Sequence, residues 1–213
     1  MKVTKLGHCC FIAEPRDGVR IMTDPGAPDY SGLPVSETNI SLVLITHEHA
    51  DHLHIDSLKE ILKNNPECVV ITNASVGKLL DEARIQYTIL EEGEKLEVKG
   101  VMIKSFGNVH AEIYEDFGQV QNTGYMIDSL CYPGDSFSYP DADVDILALP
   151  VAGPWLKIKD AIEYAKNIRP RIIFPVHDGY LEDYAPQWRI TEHFITDSGF
   201  KFKKLEINKE EEL

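Results

Sequence analysis

An apolar run at residues 41–45 leads without a break into Thr46-His47-Glu48-His49-Ala50-Asp51-His52. The run has the length and character of a buried strand. Three imidazoles and a carboxylate then fall within residues 47–52, in the pattern H-x-H-x-D-H. On an irregular loop such a run can turn its side chains toward one point, and nitrogen and carboxylate donors suit zinc, iron or manganese. Clustered ligand types at a strand end require a fold that leaves this end open. They also require other elements to bring more donors to it, because one loop cannot fill two coordination spheres.

Three candidates stand at other strand ends. His110 follows an apolar run at 101–106, within Gly107-Asn108-Val109-His110. Asp135 sits in the turn Pro133-Gly134-Asp135-Ser136. His177 follows a run at 171–175 and precedes Asp178. A lone histidine after a strand is more often structural. Three donors at strand ends, like the first cluster, are what a single metal-bearing edge predicts. Glu48 reads as pointing to solvent or to the periphery of the site, His54 as solvated or supporting a ligand from behind, and His193 as structural or exposed.

The rest of the pattern supplies elements for such an edge. Strands are expected at 3–6, 10–13, 19–22, 41–45, 68–71, 87–90, 95–98, 101–106 and 124–127. Residues 25–39, rich in Pro, Gly, Ser and Asp, read as a long loop. Helical spacing appears at 55–64, stopped by Pro66, and at Val76, Leu79, Leu80 and Ala83. The last third alternates a strand at 145–149, a helix at 158–168, a strand at 171–175, a helix at 186–198 and a strand at 200–207. The tail Lys209-Glu210-Glu211-Glu212 reads as a frayed, solvated end. Mixed strands followed by strand–helix alternation suggest sheets covered by helices. No linker-like stretch divides the chain, so one domain over 1–213 is expected.

Composition narrows the ligands. Of 213 residues, 35 are acidic and 21 basic, for a net charge of -14. That balance opposes binding to a nucleic-acid backbone or an anionic membrane. Residues 1–15 lack the apolar stretch of a signal peptide, and no run is long enough to span a bilayer, so a cytoplasmic location is expected. Cys9, Cys10, Cys68 and Cys131 show no C-x-x-C spacing and read as buried free thiols. The partner expected is a small molecule, and oligomeric state leaves no trace.

Together these motifs resemble the metallo-β-lactamase fold hydrolases, over essentially the whole chain. The resemblance implies an α+β, four-layer αβ/βα sandwich. It implies one ion held by His47, His49 and His110, a second by Asp51, His52 and His177, and Asp135 bridging them. Two divalent transition-metal ions are thus expected, zinc first, with manganese or iron as alternatives. A finer resemblance, to the branch of ascorbate-6-phosphate lactonase and small uncharacterised metal-dependent hydrolases, rests on four short segments. These are Leu6-Gly7-His8, Thr23-Asp24-Pro25, Asn122-Thr123-Gly124-Tyr125 and Leu149-Pro150-Val151.

The chemistry implied is hydrolysis of a small ester, lactone or phosphodiester by metal-activated water. Asp51 and His8 are the catalytic candidates, Asp51 orienting the water and His8 forming pocket wall or protonating a leaving group. Asp24 is the candidate carboxylate behind a ligating histidine. Trp155 is a candidate substrate wall or loop anchor. Tyr125 and Lys157 are candidate contacts to an anionic substrate, and Asp178 reads as an exposed loop residue or a support for His177. Three other classes share parts of the pattern: a non-haem iron oxidoreductase of the sulfur-oxidising type, a nuclease, and a non-catalytic metal binder. His49 in place of a glutamate, the absence of room for an appended flavodoxin-like or nuclease domain, the charge and the unbroken ligand set favour the hydrolase.

Overall fold

The computed structural model describes residues 1–31, 34–181 and 185–213. A first sheet contains β1 (Lys2–Gly7), β2 (Cys10–Arg16), β3 (Val19–Thr23), β4 (Ile40–Leu44), β5 (Val69–Thr72) and β6 (Thr88–Ile89). A second contains β7 (Lys95–Val98), β8 (Val101–Phe106), β9 (Gly124–Ile127), β10 (Leu130–Tyr132), β11 (Ile146–Pro150), β12 (Ile172–Val176) and β13 (Lys201–Phe202). The last strand, β14 (Glu210–Glu212), returns to the first sheet beside β1. The helices are α1 (Pro28–Ser31), α2 (Ile55–Asn64), α3 (Ala74–Ala83), α4 (Ile158–Ile168) and α5 (Ala185–Asp197).

Each sheet is antiparallel on one side and parallel on the other. In the first, β1, β2 and β3 pair antiparallel, then β3 to β6 run parallel. In the second, β7 to β10 pair antiparallel, then β10 to β13 run parallel. Parallel neighbours need crossovers, and helices supply most of them. α2 and α3 therefore cover the first sheet, while α4 and α5 cover the second.

The strand pleat sorts the core into three slabs. Leu42 and Leu44 of β4 join Ile146 and Ala148 of β11 between the sheets. Val43 and Ile45 face the other way, against Leu58, Ile61, Val76 and Leu80 of α2 and α3. Leu147 and Leu149 meet Ala161, Tyr164 and Ala165 of α4 and Ile195 of α5. Strands buried on both faces read as continuous apolar runs, and β4 and β11 are fully buried. The order helix, sheet, sheet, helix is the four-layer α+β sandwich that the resemblance implied.

Three expectations need correction. Residues 25–39 are not plain loop; they include α1 and a 3-10 turn at Pro34–Ser36, with residues 32–33 outside the described set. The strand expected at 200–207 is confined to β13. The acidic tail is not frayed: β14 pairs with β1, and the Met1 amine meets Glu212 at 2.9 Å. Backbone pairing holds a segment whose side chains gave no sign of structure. No helix among the described residues is long and apolar enough to cross a membrane.

Candidate metal centre

The ends of β4, β8, β10 and β12 meet at one edge of the sandwich. The loop after β4 is organised by Asp24, which follows β3 and is fully buried. Asp24 takes a left-handed φ of 35°, a conformation costly for most residues and frequent at functional sites. Its Oδ1 accepts the Thr46 amide at 2.8 Å. Its Oδ2 accepts the Thr46 hydroxyl at 2.6 Å, His52 Nδ1 at 2.7 Å and the Tyr132 hydroxyl of β10. An ionised carboxylate only accepts, so the His52 proton sits on Nδ1 and the Nε2 lone pair points into the site.

The same logic orients two more rings. The Thr46 hydroxyl donates to Asp24, so it accepts from His47 Nδ1 at 3.0 Å. The Ala111 carbonyl accepts from His110 Nδ1 at 2.6 Å. In all three rings Nε2 is the bare nitrogen. His47, His49 and His110 each offer a donor atom within 4.8 Å of the others.

Asp135 stands between this trio and the remaining candidates. Its Oδ1 lies 3.2 Å from His52 Nε2, and its Oδ2 lies 3.4 Å from His110 Nε2 and 2.8 Å from His177 Nε2. Asp51 Oδ2 lies 3.7 Å from His52 Nε2 and 3.6 Å from His177 Nε2. Gly134 has a φ of 63°, and a Cβ there would stand 2.4 Å from Asn122 Oδ1, the atom that accepts the Asp135 amide. Close backbone approach thus sets the Asp135 position.

Buried polar atoms in proteins are almost always hydrogen-bonded. Here Nε2 of His47, His52, His110 and His177 and Oδ1 of Asp135 are buried without a hydrogen-bond partner. The 2.8 Å approach of His177 to Asp135 is close but not aligned as a hydrogen bond. Orphaned nitrogens and carboxylate oxygens facing one another are the arrangement that divalent cations satisfy. The donor set fits such ions.

Electrostatics agrees with this assignment. Burial, reinforced by His52, holds His47 well below the ordinary histidine range. Burial also pushes His8 down to about 4, overriding its contact with Asp51. For Asp51, burial alone would raise the pKa; the His8 hydrogen bond and the neighbouring His52 outweigh it and hold the carboxyl below its usual range. Asp135 behaves likewise, with His177 and His52 overcoming burial. His52 runs the other way: burial is outweighed by Asp135 and Asp24, which raise it. The raised His52 therefore competes for a proton at Nε2 when no ion is bound, and a divalent ion there would displace it; the two ionised carboxylates supply the negative charge such an ion needs.

All seven ligand candidates therefore meet at one edge, and Asp24 is hydrogen-bonded to His52 Nδ1. Trp155 donates Nε1–H to Asp135 Oδ2 at 2.7 Å, so it is both anchor and wall. His8 is revised. Its Nδ1 accepts the Gly179 amide at 3.0 Å and its Nε2 reaches Asp51 Oδ2 at 3.1 Å. With both nitrogens engaged, it holds Asp51 and is not free to protonate a leaving group. Tyr125 is a correction: it is fully buried between the sheets, and its hydroxyl donates to the Ile45 carbonyl at 3.1 Å. Asp178 is also corrected, being buried and bonded to Lys5 Nζ at 2.6 and 2.7 Å. Lys157 is exposed at the start of α4. His54 caps α2, its Nδ1 accepting the Ser57 amide.

Reasoning from residues missed Tyr180, whose hydroxyl donates to Asp51 Oδ2. It also missed Tyr132 and Thr46 on Asp24. A tyrosine three residues beyond a candidate ligand was the one available signal for Tyr180. Above the ligands lies a pocket of about 250 Å³. Ile113, Phe117, Pro154, Trp155 and Tyr180 wall it.

Metal-dependent hydrolases are the class that this sandwich and its edge of imidazoles and carboxylates define. Residues 2–177 match the family model described as a β-lactamase superfamily domain, and the chain belongs to that superfamily, of the metallo-β-lactamase fold, as a metal-dependent hydrolase. It is 30% identical over 208 residues to protein Rv0786c of Mycobacterium tuberculosis, covering 92% of this chain and 94% of that one. A UPF0173 metal-dependent hydrolase of Thermoplasma acidophilum is 25% identical over 190 residues, covering 83% of each chain. Among solved structures, Igni18, a metallo hydrolase from Ignicoccus hospitalis, superposes with a TM-score of 0.75 at 21% identity, covering 100% of this chain and 98% of that one.

Proposed function

We propose that the edge holds two divalent transition-metal ions and hydrolyses a small ester, lactone or phosphodiester. His47, His49 and His110 would hold one ion, Asp51, His52 and His177 the other, and Asp135 would bridge them. The observation that carries this reading is the set of orphaned Nε2 atoms converging on Asp135. Zinc suits the histidine-rich donor set best, with manganese or iron able to replace it. When bound, paired divalent ions supply Lewis-acid activation of water at neutral pH.

The chain's own residues do the rest. Asp24 and Thr46 fix the tautomers of His52 and His47. Neutral His8 and the Tyr180 hydroxyl donate to Asp51, so this carboxylate is positioned and kept ionised. A carboxylate held that acidic is a poor proton store; its work is to ligate and to orient the attacking water. Trp155 does for Asp135 what His8 does for Asp51. The apolar walls limit bulk water over the reacting atoms. We read residues 1–213 as one domain working in the cytoplasm on a small molecule, with neither nucleic acid nor membrane as partner; the net charge of -14 supports this.

Elemental analysis of protein purified without chelators tests the proposal. Close to two transition-metal ions per chain are expected. A chelator should abolish turnover of 4-nitrophenyl esters or bis(4-nitrophenyl) phosphate, and zinc or manganese should restore it. Protein that holds no metal and takes none up would overturn it.

A further inference from the structure

The pocket over the ligands has an uneven character. Its floor is polar and charged, but its walls are Ile113, Phe117, Pro154, Trp155 and Tyr180. The polar atoms of two of these walls are already used: Trp155 Nε1 donates to Asp135 and the Tyr180 hydroxyl to Asp51. What they turn toward a ligand is ring surface. Phe117 is 71% exposed at the rim, and its turn partner Tyr114 is exposed beside it. Large apolar side chains left in solvent beside a reactive floor mark a binding surface more often than chance exposure.

Charge points the same way. Among the described residues no lysine or arginine lines the pocket. The segment 107–123, which supplies His110, Ile113 and Phe117, has three carboxylates, Glu112, Glu115 and Asp116, and no basic residue. Lys5, a buried cation on β1, is committed to Asp178 and the Pro175 carbonyl. An anionic arm reaching beyond the reacting carbonyl would meet aromatic and aliphatic faces, with no lysine or arginine among the described lining residues to receive it.

The geometry points to an uncharged ester or lactone with an apolar arm as the substrate class, the arm lying between Trp155 and Phe117. This rests on the hydrolase reading above and narrows it: phosphorylated and carboxylated substrates are selected against by the rim. The reaction consumes one water: its oxygen forms a new bond to the acyl carbon, the ester C–O bond breaks, and the departing alkoxide oxygen takes a proton from that water, giving acid and alcohol from an ester or one hydroxy acid from a lactone.

A matched pair of probes tests the arm. Mono-4-nitrophenyl adipate differs from 4-nitrophenyl hexanoate in ending its chain with a carboxylate. The zinc-loaded protein should show kcat/KM at least about tenfold higher for the hexanoate, the range that pocket contacts with a few methylenes provide. Phe117→Lys, a change at an exposed rim position, should shift that ratio toward the adipate by about tenfold. A binding measurement on metal-free protein separates the two layers of the argument. Hexanamide should quench tryptophan fluorescence at concentrations about tenfold lower than 6-amino-6-oxohexanoate, and the quench should vanish in Trp155→Phe. Equal or tighter binding of the anionic amide, or binding of neither, overturns the inference whatever the turnover. The binding preference together with no metal-dependent turnover of any ester would sink the hydrolase reading and leave the pocket assignment standing.

Discussion

The two sheets bring candidate ligands to their shared edge in different ways. The first supplies His47, His49, Asp51 and His52 from a single loop after β4. The second supplies His110, Asp135 and His177 from three separate strand ends. In the first case the geometry is local: Asp24 and Thr46 orient two of the rings through hydrogen bonds inside one corner of the fold. In the second it depends on the register of β8 to β12 and on long-range supports such as Lys5 on Asp178. A contiguous cluster survives small shifts of its sheet, whereas dispersed ligands are only as well placed as the whole assembly. Asp135 is the junction, close to rings from both sets.

The largest expected effect is at that junction. Asp135→Asn should lower turnover on the order of 10³-fold, since under the proposed reading this carboxylate would hold both ions, which would supply several kcal/mol of transition-state stabilisation. Metal content should fall by more than one ion per chain. His49→Ala, at the half-buried end of the contiguous loop, should cost only one ion. Identical metal content in the two variants, read by mass spectrometry, would break the distinction between the sheets.

Next comes the support of the dispersed set. Lys5 and Asp178 are both buried, and removing one partner leaves an uncompensated charge. Lys5→Met should destabilise by about 3–5 kcal/mol in urea unfolding. A loss under about 1 kcal/mol would show that the end of β12 does not depend on this pair.

Acid should reveal the corner where the sets touch. His8 is held at about 4 in the fold and titrates near 6.5 when free. Between those values the unfolded chain binds the extra proton. The His8 contribution is therefore present above pH 6.5 and is lost as pH falls toward 4. The urea midpoint of metal-free protein should drop more between pH 7 and 5 for the wild type than for His8→Gln. Parallel curves would remove His8 from the account.

The smallest effect belongs to the chain end. Glu212 meets the Met1 amine but is itself exposed, so Glu212→Gln should leave the urea midpoint essentially unchanged. A lowered midpoint would mean that β14 clamps the first sheet more tightly than exposed pairs do.

Much of this molecule could be read before folding. β4 and β11 announced themselves because both faces of each are buried, which leaves Ser41 as the one polar residue in the two strands. Helices α2 and α4 matched their expected limits because one apolar stripe at helical spacing leaves little choice. Other features had no local signal. Tyr125 and Tyr180 are the same residue type near candidate ligands, yet one is core and the other bonds Asp51. Strand β9 is buried on both faces, so nothing in its pattern says which way Tyr125 points. Asp178 finds its partner on β1, at the opposite end of the chain. The tail forms a strand through backbone bonds that its acidic side chains do not advertise.

What the sequence determined by itself was the donor inventory and the one cluster whose members are covalent neighbours. Residues a few positions apart on one loop cannot be far apart in space, so proximity there follows from chain connectivity. Tertiary structure decided the place of Asp135 among three imidazoles, the Nε2 atoms left without hydrogen bonds, and pocket walls with no lysine or arginine among the described residues. Each of these depends on which strand ends stand side by side, and sheet pairing over long separations is set by burial of the whole core, not by any single segment.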